Sequence, residues 1–458
     1  MILTRDKSFY KSLVLLAIPI ALQNLITFSV GLADNIMVGS LGDVAVSGLY
    51  MGNQIQTLLQ VFSGGIEGAI LILAAQYWGR RDTASISRIA SIGIRFSLLF
   101  GLLMTFLCTI FPEFVISLFT SDESVIECGA EYLGIVCYSY LFFCLTQALI
   151  ATMRSIETAR IGLVVSIVSL ALNVCLNYLL IFGKLGLPAL GVAGAAIATL
   201  ISRICECGII VVYVLLIDKK LKFSVRELFR TDRALLRDFL KYGTPVIAGQ
   251  LVWAANMLSN SAIMGRQNVE GVITAVSIAN TMNNLAYVVM NGMSGAVGII
   301  TGKTIGAGHE DKMREYARTV QIIFITLGIL TGAMVQLLKM PFISLYNVSE
   351  AAVRQSVKLI NVLSVTIIGT CYQAACLFGL VKSGGDISFV FKLDLIFVFI
   401  VVIPLALIAT MLGLAPWVVF ACLKCDQILK CFVAIVKINS FNWMKNLTKA
   451  SIDGAKSA

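Results

Sequence analysis

The sequence contains the same apolar pattern twice. Residues 46–79 align without a gap on residues 273–306, at an offset of 227, and eight of the 34 aligned positions are identical. Just upstream the offset is 226, where Pro19 aligns with Pro245 and Asp34 aligns with Asn260. A repeat of this length predicts a chain built from two related halves. Because the carboxylate of Asp34 is replaced by the amide of Asn260 in the second copy, the two halves are predicted to differ chemically.

The composition is too apolar for a water-soluble protein. The 458 residues are 58% hydrophobic and 13% charged, with a mean hydropathy of +0.91. A soluble chain would carry about 25% charged residues. In lipid, each backbone polar group must be satisfied within its own segment or in a closed barrel, and the apolar runs here are continuous rather than alternating. The predicted fold class is therefore an all-α polytopic membrane protein.

Twelve membrane-spanning segments are predicted. They lie at about residues 10–37, 46–77, 89–112, 125–152, 159–182, 189–216, 239–264, 271–303, 316–338, 352–381, 386–412 and 416–438. With six segments in each half, both halves begin on the same side, so the repeats are parallel and related by a pseudo-two-fold axis along the membrane normal. The predicted organisation is an N-terminal lobe at 1–218, a cytoplasmic connector at 219–238, a C-terminal lobe at 239–440 and a solvated cytoplasmic tail at 441–458.

The net charge of +10 indicates topology rather than nucleic-acid binding. Lysine and arginine concentrate in the loop 218–241, whereas the alternate loops 38–45 and 113–124 contain neither. By the positive-inside rule, the basic loops and both termini face the cytoplasm. We therefore expect a multi-pass monomer in the cytoplasmic (inner) membrane, surrounded by membrane lipid.

Two carboxylates inside predicted spans lack a basic neighbour at helical spacing. Asp34 lies toward the outer end of the first segment, and Glu67 lies in the middle of the second. An ionisable group in a membrane span is costly and is a functional candidate. A desolvated carboxylate without a cation can hold a proton near neutral pH. We predict ion coupling at Asp34; for Glu67, coupling and a structural role are both open.

Other charged residues within spans have partners at helical spacing. Arg203 and Glu206 are three residues apart, and Asp426 and Lys430 are four apart, so each pair can meet on one helix face. For both pairs we expect mutual neutralisation. Asp394, near the cytoplasmic end of its segment, is also expected to have a structural role.

The fifth and sixth segments supply polar groups that could join Asp34. Asn173 and Asn177 are four residues apart on one helix face, and Thr199 follows in the next segment. Amides in apolar surroundings need partners, and these can bind a carboxylic acid or a cation. Pro19, inside the first span, removes one backbone hydrogen bond and is predicted to form a hinge.

The sequence offers little for catalysis. His309 is the single histidine and lies in a basic loop, and no metal-ligating cluster, nucleophile motif or phosphate-binding glycine motif occurs. We therefore predict neither an enzyme nor a bound cofactor or metal. An intramembrane enzyme or receptor is the alternative from another class, and it would show catalysis or signalling without net transport.

Several of these features together resemble one known family. They are Pro19, the Asp34–Gly39 segment, Gln76-Tyr-Trp-Gly-Arg-Arg-Asp82, Asn173-Val-Cys-Leu-Asn177, and Gly191-Val-Ala-Gly194 leading to Thr199. In this combination the chain resembles the multidrug and toxic compound extrusion (MATE) family along nearly its whole length. The resemblance implies two six-helix lobes, alternating access, and export of organic, often cationic, compounds in exchange for protons or sodium ions.

The resemblance also implies roles for individual residues. Asp34 matches the acidic coupling residue, Pro19 the bend of its helix, and Asn173 an asparagine of the same ion cluster. Some members carry an aspartate where this chain has Asn177, which favours protons, although Na⁺ at Asp34, Asn173 and Asn177 stays open. Another branch has an essential acid in the seventh segment, and residues 249–256 contain none.

The predicted function is therefore a secondary active antiporter for drugs or metabolites. A small-molecule substrate, expected to be cationic and amphiphilic, would occupy a cavity between or within the lobes. Its predicted lining, besides Glu67 and the Asp34 cluster, is Asn53, Gln147, Trp253, Asn256, Asn280 and Asn284. The alternative is a flippase for lipid-linked precursors from the same superfamily, for which mid-membrane positive charge is limited to Arg203 and Lys424.

Overall fold

The described part of the protein is almost entirely helical. The computed structural model describes residues 3–186, 188–230, 232–267, 269–346 and 348–448, and these ranges contain α-helices and no strand. The helices are α1 (Lys7–Gly39), α2 (Asp43–Gly79), α3 (Thr83–Ile110), α4 (Pro112–Ser117), α5 (Glu123–Val136), α6 (Ser139–Ser155), α7 (Arg160–Phe182), α8 (Gly191–Val212), α9 (Arg233–Gly265), α10 (Val272–Gly306), α11 (Glu310–Ile343), α12 (Glu350–Gln373), α13 (Ile387–Ile396), α14 (Ile403–Met411), α15 (Pro416–Leu423) and α16 (Asp426–Asn439).

The helices account for all twelve predicted spans. Within the described ranges, nine helical stretches are long and apolar enough to cross a membrane, and α5 with α6 forms a tenth that is bent by 52°. The remaining two predicted spans correspond to α9 and to the consecutive pair α15 and α16. The all-α polytopic fold with two six-helix repeats is therefore confirmed.

The last three spans depart from regular α-helical geometry. After α12 the chain continues as a π-helix at Ala374–Lys382, and a second π-helix at Phe397–Val402 joins α13 to α14. The final span is interrupted at Lys424 and Cys425, between α15 and α16. π-Helical turns inside α-helices are uncommon and often lie near functional or strained positions.

The sequence repeat is visible in the helix boundaries. α1 and α9 are both 33 residues long, and both ends are offset by 226 residues, as are Pro19 and Pro245 inside them. Helical structure continues through each proline. The hinge role predicted for Pro19 remains a prediction.

The chain forms two compact units that divide within α1 and α9. The N-terminal unit is Leu22–Ile247, and the C-terminal unit combines Met1–Ala21 with Ala248–Ala458. Both dividing points come two residues after a repeated proline. The predicted lobes at 1–218 and 239–440 are contiguous in sequence, whereas each of these units contains the first part of a helix that begins in the other half of the chain.

Two repeat-equivalent glycines explain how the first parts of α1 and α9 are held. A Cβ on Gly65 of α2 would lie 2.8 Å from the Cα of Ile247, within the N-terminal unit. A Cβ on Gly292 of α10 would lie 2.8 Å from the Cα of Ala21, within the C-terminal unit. Small residues let helix backbones approach this closely in membranes. The repeated glycines therefore allow α9 to pack on α2 and α1 to pack on α10.

Substitution of Gly65 by alanine tests this packing. The added Cβ would overlap backbone atoms that cannot rotate away, so we expect a loss of about 1–3 kcal/mol of stability, measured as thermal unfolding of the purified protein. Gly249→Ala is the matched control, because a Cβ there meets nothing within 4 Å. Equal unfolding temperatures for the two variants would contradict the close-approach role.

The predicted connector at 219–238 is too long. Residues 233–238 are the first turns of α9, so the connector ends near Asp232. It is held against the N-terminal unit by an ion pair of 2.9 Å between Arg88 and Asp232 and by Lys220, whose ammonium donates to the Ile156 carbonyl at 3.0 Å. The basic residues at 233–241 lie in the first turns of α9.

The prediction of a solvated tail is wrong for residues 441–448, and the rest of the predicted tail, 449–458, lies outside the described residues. Trp443 is fully buried, and a Cβ on Gly384 would overlap its ring. The Lys445 amide donates to the Gly384 carbonyl at 2.7 Å, and the ammonium groups of Lys437 and Lys445 lie 2.6 and 2.7 Å from the Asp386 carboxylate. Trp443 and Lys445 therefore dock this segment on the 383–386 loop, and Lys437 of α16 adds a second ion pair to Asp386.

The ion pairs of Asp386 also determine how low the pH can fall before the docked tail loses their stabilisation. Burial alone favours the neutral carboxyl, but the two neighbouring ammonium groups outweigh it and lower the pKa of Asp386 from its ordinary value of 3.8. A lowered folded-state pKa means that the pairs stabilise the docked tail above the ordinary value. That contribution is lost only as the pH falls through the lower, folded-state pKa.

Candidate functional site

Four helices of the N-terminal unit surround a polar cavity of about 140 Å³. On each helix the lining residues recur three or four positions apart, which places them on one face. The lining consists of Thr27, Val30, Gly31 and Asp34 from α1, Asn53, Gln56, Thr57 and Gln60 from α2, Ser169 and Asn173 from α7, and Thr199, Ser202 and Arg203 from α8. All of these except Val30 and Gly31 are polar or charged.

A hydrogen-bonded chain connects the predicted ion-coupling residues. The Asn177 amide donates to the Asp34 carboxylate at 2.5 Å and to the Asn173 carbonyl oxygen at 3.2 Å. Asn173 in turn donates to the Thr199 hydroxyl at 3.4 Å. The structure thus brings together four residues that are spread over 165 positions of the sequence, from 34 to 199.

One acceptor in this chain has no partner. The Oδ1 atom of Asn177 is buried and makes no hydrogen bond to any residue that the structure describes. A buried polar atom left without a partner costs about 1–3 kcal/mol. This oxygen belongs to the amide whose nitrogen contacts Asp34, so a half-turn of that amide would let the oxygen accept a hydrogen bond from a protonated carboxyl or contact a cation.

Arg203 places a positive charge in the same cavity. Its Nη1 atom lies 2.7 Å from Glu206, the pairing that the sequence predicts, and its guanidinium lies 5.0 Å from the centre of the Phe143 ring. Its charge also attracts the Asp34 carboxylate. With all three groups ionised, Asp34, Arg203 and Glu206 sum to one negative charge. A proton or a monovalent cation at Asp34 would make the cluster neutral.

Glu67 lies outside this cavity. Its carboxylate is attracted by Arg154 of α6, whose Nη2 atom donates to the Gln23 side chain at 2.7 Å. The helical spacing of the sequence showed no basic neighbour for Glu67, because Arg154 comes from a different helix. The structure does not join Glu67 to Asp34, and its part in coupling stays a prediction.

The predicted substrate residues separate into two groups. Asn53 lines the cavity, but Gln147 on α6 does not, and the remaining four belong to the C-terminal unit. Among these four, Trp253 is 50% exposed, and Asn280 and Asn284 are also exposed. The Oδ1 atom of Asn256 is buried without a partner within the described ranges. The cavity around Asp34 is therefore formed by a smaller set of helices than predicted.

The sequence contained a signal for the lining of α2 that the prediction missed. Gln56, Thr57 and Gln60 follow Asn53 at spacings of three, four and seven residues within an apolar span. That spacing defines one helix face. A polar face on an otherwise apolar span indicates a cavity or a protein interface rather than lipid.

A second charged cluster lies in the C-terminal unit. The Lys430 ammonium is 2.8 Å from Asp394 and 3.1 Å from Asp426, so the predicted i, i+4 pair is present and has an additional carboxylate. Gln427 donates to Asp426 at 3.0 Å and accepts a hydrogen bond from Gln373 at 2.7 Å. Each charged side chain of this cluster has an opposite charge within ion-pair distance.

Comparison with known proteins gives the family. The MatE family model matches residues 19–179 and 245–408, which together exceed half of the chain. The two matches begin at Pro19 and Pro245, at the offset of the internal repeat. The protein is therefore a multi-pass helical membrane protein built from two repeats. The chain belongs to the MATE family of transporters. It is a transporter rather than an enzyme.

Named relatives and solved structures agree with this assignment. The chain is 26% identical to the probable multidrug resistance protein NorM of Thermotoga maritima over 361 residues, 78% of this chain and 76% of the relative. It is 28% identical to the probable multidrug resistance protein YoeA of Bacillus subtilis over 330 residues, 70% of each chain. An outward-facing MATE transporter structure superimposes with a TM-score of 0.85 at 18% identity, covering 96% of this chain and 99% of that one.

Proposed function

We propose that the protein is a secondary active antiporter that exports small organic compounds in exchange for protons, with Asp34 as the coupling group. The observation that carries this proposal is the Asp34–Asn177 contact at a polar cavity, next to an unpartnered buried acceptor. It is the combination that a group binding and releasing a proton needs, because the site can hold the carboxyl in both states. The names of the relatives support drug efflux as the transport task.

The chemistry of the cycle follows from the charges. When Asp34 is ionised, the cluster with Arg203 and Glu206 has a net negative charge and favours a cationic group of the substrate. When a proton binds to Asp34, the attraction for that cationic group is lost, and the neutral carboxyl can donate to the free Asn177 oxygen. Proton binding from outside would therefore release substrate, and proton loss to the cytoplasm would restore the binding state.

The cavity favours this function over the flippase alternative. A cavity of about 150 Å³ accommodates a molecule the size of benzene, so the observed 140 Å³ fits a small solute or one group of a larger compound. A lipid-linked precursor would require the four helices to move far apart. The flippase would be favoured by binding of a lipid-linked precursor in the absence of drug binding.

The proposal also includes the membrane topology and the oligomeric state of the protein. The basic residues at 218–241 support cytoplasmic termini in the cytoplasmic membrane. We propose a monomer that functions without cofactor or nucleic acid, because one unit alone contains the Asp34 cluster and its cavity. The coupling proton is transported across the membrane and is not a bound cofactor.

Everted membrane vesicles test the proposed function. A fluorescent organic cation is added outside the vesicles, and a proton gradient or a sodium gradient is imposed in turn. We expect uptake into the everted vesicles with the proton gradient and only background uptake with sodium. Uptake driven by sodium alone would overturn proton coupling, and no uptake with either gradient would overturn the antiporter.

Introducing a second carboxylate tests the assignment of the ion. Hard cations prefer oxygen ligands with negative charge, and Asn177→Asp adds one beside Asp34. We expect sodium binding on the order of tenfold tighter than in the wild-type protein, since a charge near 4 Å is worth more than 1.4 kcal/mol in a partly buried site. Isothermal titration with NaCl, using KCl as the control salt, measures it. An unchanged sodium affinity would contradict the interpretation that the amide at position 177, in place of a carboxylate, favours protons over sodium ions.

A further inference from the structure

The cavity contains fixed charges of both signs, which narrows the class of substrate. We propose that it recognises small dipolar solutes, whose carboxylate binds the Arg203 guanidinium and whose ammonium binds the Asp34 carboxylate. This proposal rests on the proposed function and specifies its substrate. It differs from the cationic amphiphile that carboxylates alone would suggest.

The guanidinium has hydrogen-bonding capacity to spare. Its Nη1 atom donates to Glu206, and no other hydrogen bond joins Arg203 to the residues that the structure describes. A guanidinium carries five N–H donors and suits bidentate recognition of a carboxylate. Its side chain is 13% exposed and lines the cavity, so free donors face the space where a solute would bind.

Glu206 holds the Arg203 guanidinium in place and occupies only one of its nitrogen atoms. The Glu206 carboxylate is nearly buried, with a side-chain exposure of 4%, and also accepts from the Ser169 hydroxyl at 3.4 Å. The Phe143 ring lies 5.0 Å below the guanidinium. These contacts orient the planar group on α8, and an incoming carboxylate can bind its other edge without breaking the ion pair.

The rest of the lining suits a polar solute. Amides and hydroxyls from α2 and α7, such as Asn53, Gln56, Gln60 and Ser169, surround the two charged groups. Ligand sites for apolar drugs are lined predominantly by apolar and aromatic side chains, whereas only Val30 and Gly31 are apolar here. The size of the cavity and its fixed charges therefore point to a small dipolar solute.

The proposal also explains how a proton could displace the substrate. The ammonium of a dipolar solute and a proton would compete for the Asp34 carboxylate, while the solute carboxylate stays on Arg203. Binding should therefore weaken as the pH falls. A solute without an ammonium group should not show that dependence.

Equilibrium binding to the purified protein tests the proposal. The probes are glycine, β-alanine, 4-aminobutyrate and 6-aminohexanoate, which vary the separation of the two charges, and each is compared with its methyl ester and its N-acetyl derivative. We expect at least one parent compound to bind about tenfold more tightly than both derivatives, as loss of a charge-assisted hydrogen bond predicts. If no parent compound is preferred over its derivatives, the proposal is overturned.

Two variants assign the preference to its residues. Arg203→Gln combined with Glu206→Gln removes the ion pair without leaving a buried charge, and it should abolish the preference for the parent over its ester. Arg203→Lys, which keeps the positive charge but not the fork of donors, should retain part of it. A preference unchanged in the double variant would overturn the role of Arg203. If the double variant does not fold, the wild-type protein and Arg203→Lys provide the test. An undiminished preference for the parent compound over its ester in Arg203→Lys would contradict bidentate recognition.

The same measurements separate this proposal from the proposed function. Proton-driven uptake of the fluorescent cation, together with no preference for dipolar probes, would remove the substrate class and leave the antiporter. Preferential binding of a dipolar probe, together with no proton-driven uptake of the dye or of the radiolabelled probe itself, would remove the antiporter and leave the substrate class.

Discussion

Asp34→Asn is expected to reduce proton-driven efflux to the background of vesicles without the protein. Asparagine has almost the same shape and can still contact Asn177, but it cannot bind and release a proton. The variant should therefore fold, bind a cationic substrate more weakly, as the protonated protein does, and lose the response to the gradient. The measurement is the initial rate of dye uptake into everted vesicles under an imposed proton gradient, alongside binding to the purified protein.

Two further variants make the result specific. Asp122→Asn alters an exposed aspartate that caps the start of α5, and its transport rate should equal that of the wild type. Glu67→Gln removes the other span carboxylate, which faces Arg154 rather than the Asp34 cavity, so gradient-driven uptake should persist. Wild-type rates in Asp34→Asn, or background rates in Glu67→Gln alone, would contradict coupling at Asp34.

Lys430→Met is expected to destabilise the C-terminal unit strongly. Lys430 and Asp426 have side-chain exposures of 5% and 3%, and the ammonium is shared with Asp394. Removing one partner of a buried ion pair leaves an uncompensated charge and costs about 3–5 kcal/mol. The thermal unfolding midpoint should fall by on the order of 5–10 °C.

A variant that removes all three charges separates this cost from general damage. Asp394→Asn, Asp426→Asn and Lys430→Met together remove all three charges of the cluster, so stability should recover part of the loss. Recovery should be incomplete, because Asp394 and Asp426 also attract the ammonium groups of Lys382 and Lys424. Arg354→Met removes a partner of the exposed ion pair with Glu350 and should change the midpoint little. An unchanged midpoint in Lys430→Met, or no recovery in the triple variant, would show that the cluster does not depend on charge balance.

The sequence allowed the Asp34 cluster to be predicted almost completely. Asp34, Asn173, Asn177 and Thr199 were expected to act together, and the structure joins them by hydrogen bonds. The reason is that an ionisable side chain in lipid must find a partner, and Asn173 and Asn177 offer two amides on one helix face. Their role in coupling remains a prediction.

Partners from separate helices could not be predicted in this way. Helical spacing identifies neighbours on one helix but not which faces of two helices meet. Arg154 near Glu67, Asp394 beside Lys430, and Arg203 in the Asp34 cavity were missed or discounted for that reason. The sequence led us to regard Arg203 as neutralised by Glu206, whereas the structure shows that the pair leaves most of the guanidinium available.

The sequence by itself determined the solvent, the helices and the duplication of this protein. Continuous apolar runs require helices in lipid, and the offset of 226 to 227 residues reveals two related halves. Only the tertiary structure decided which parts of α1 and α9 belong to which compact unit, that the tail at 441–448 is docked, and that positive and negative charges line one cavity. Those features depend on contacts between segments far apart in sequence, such as Gly65 with Ile247, where close approach of two backbones is a property of the pair of helices rather than of either alone.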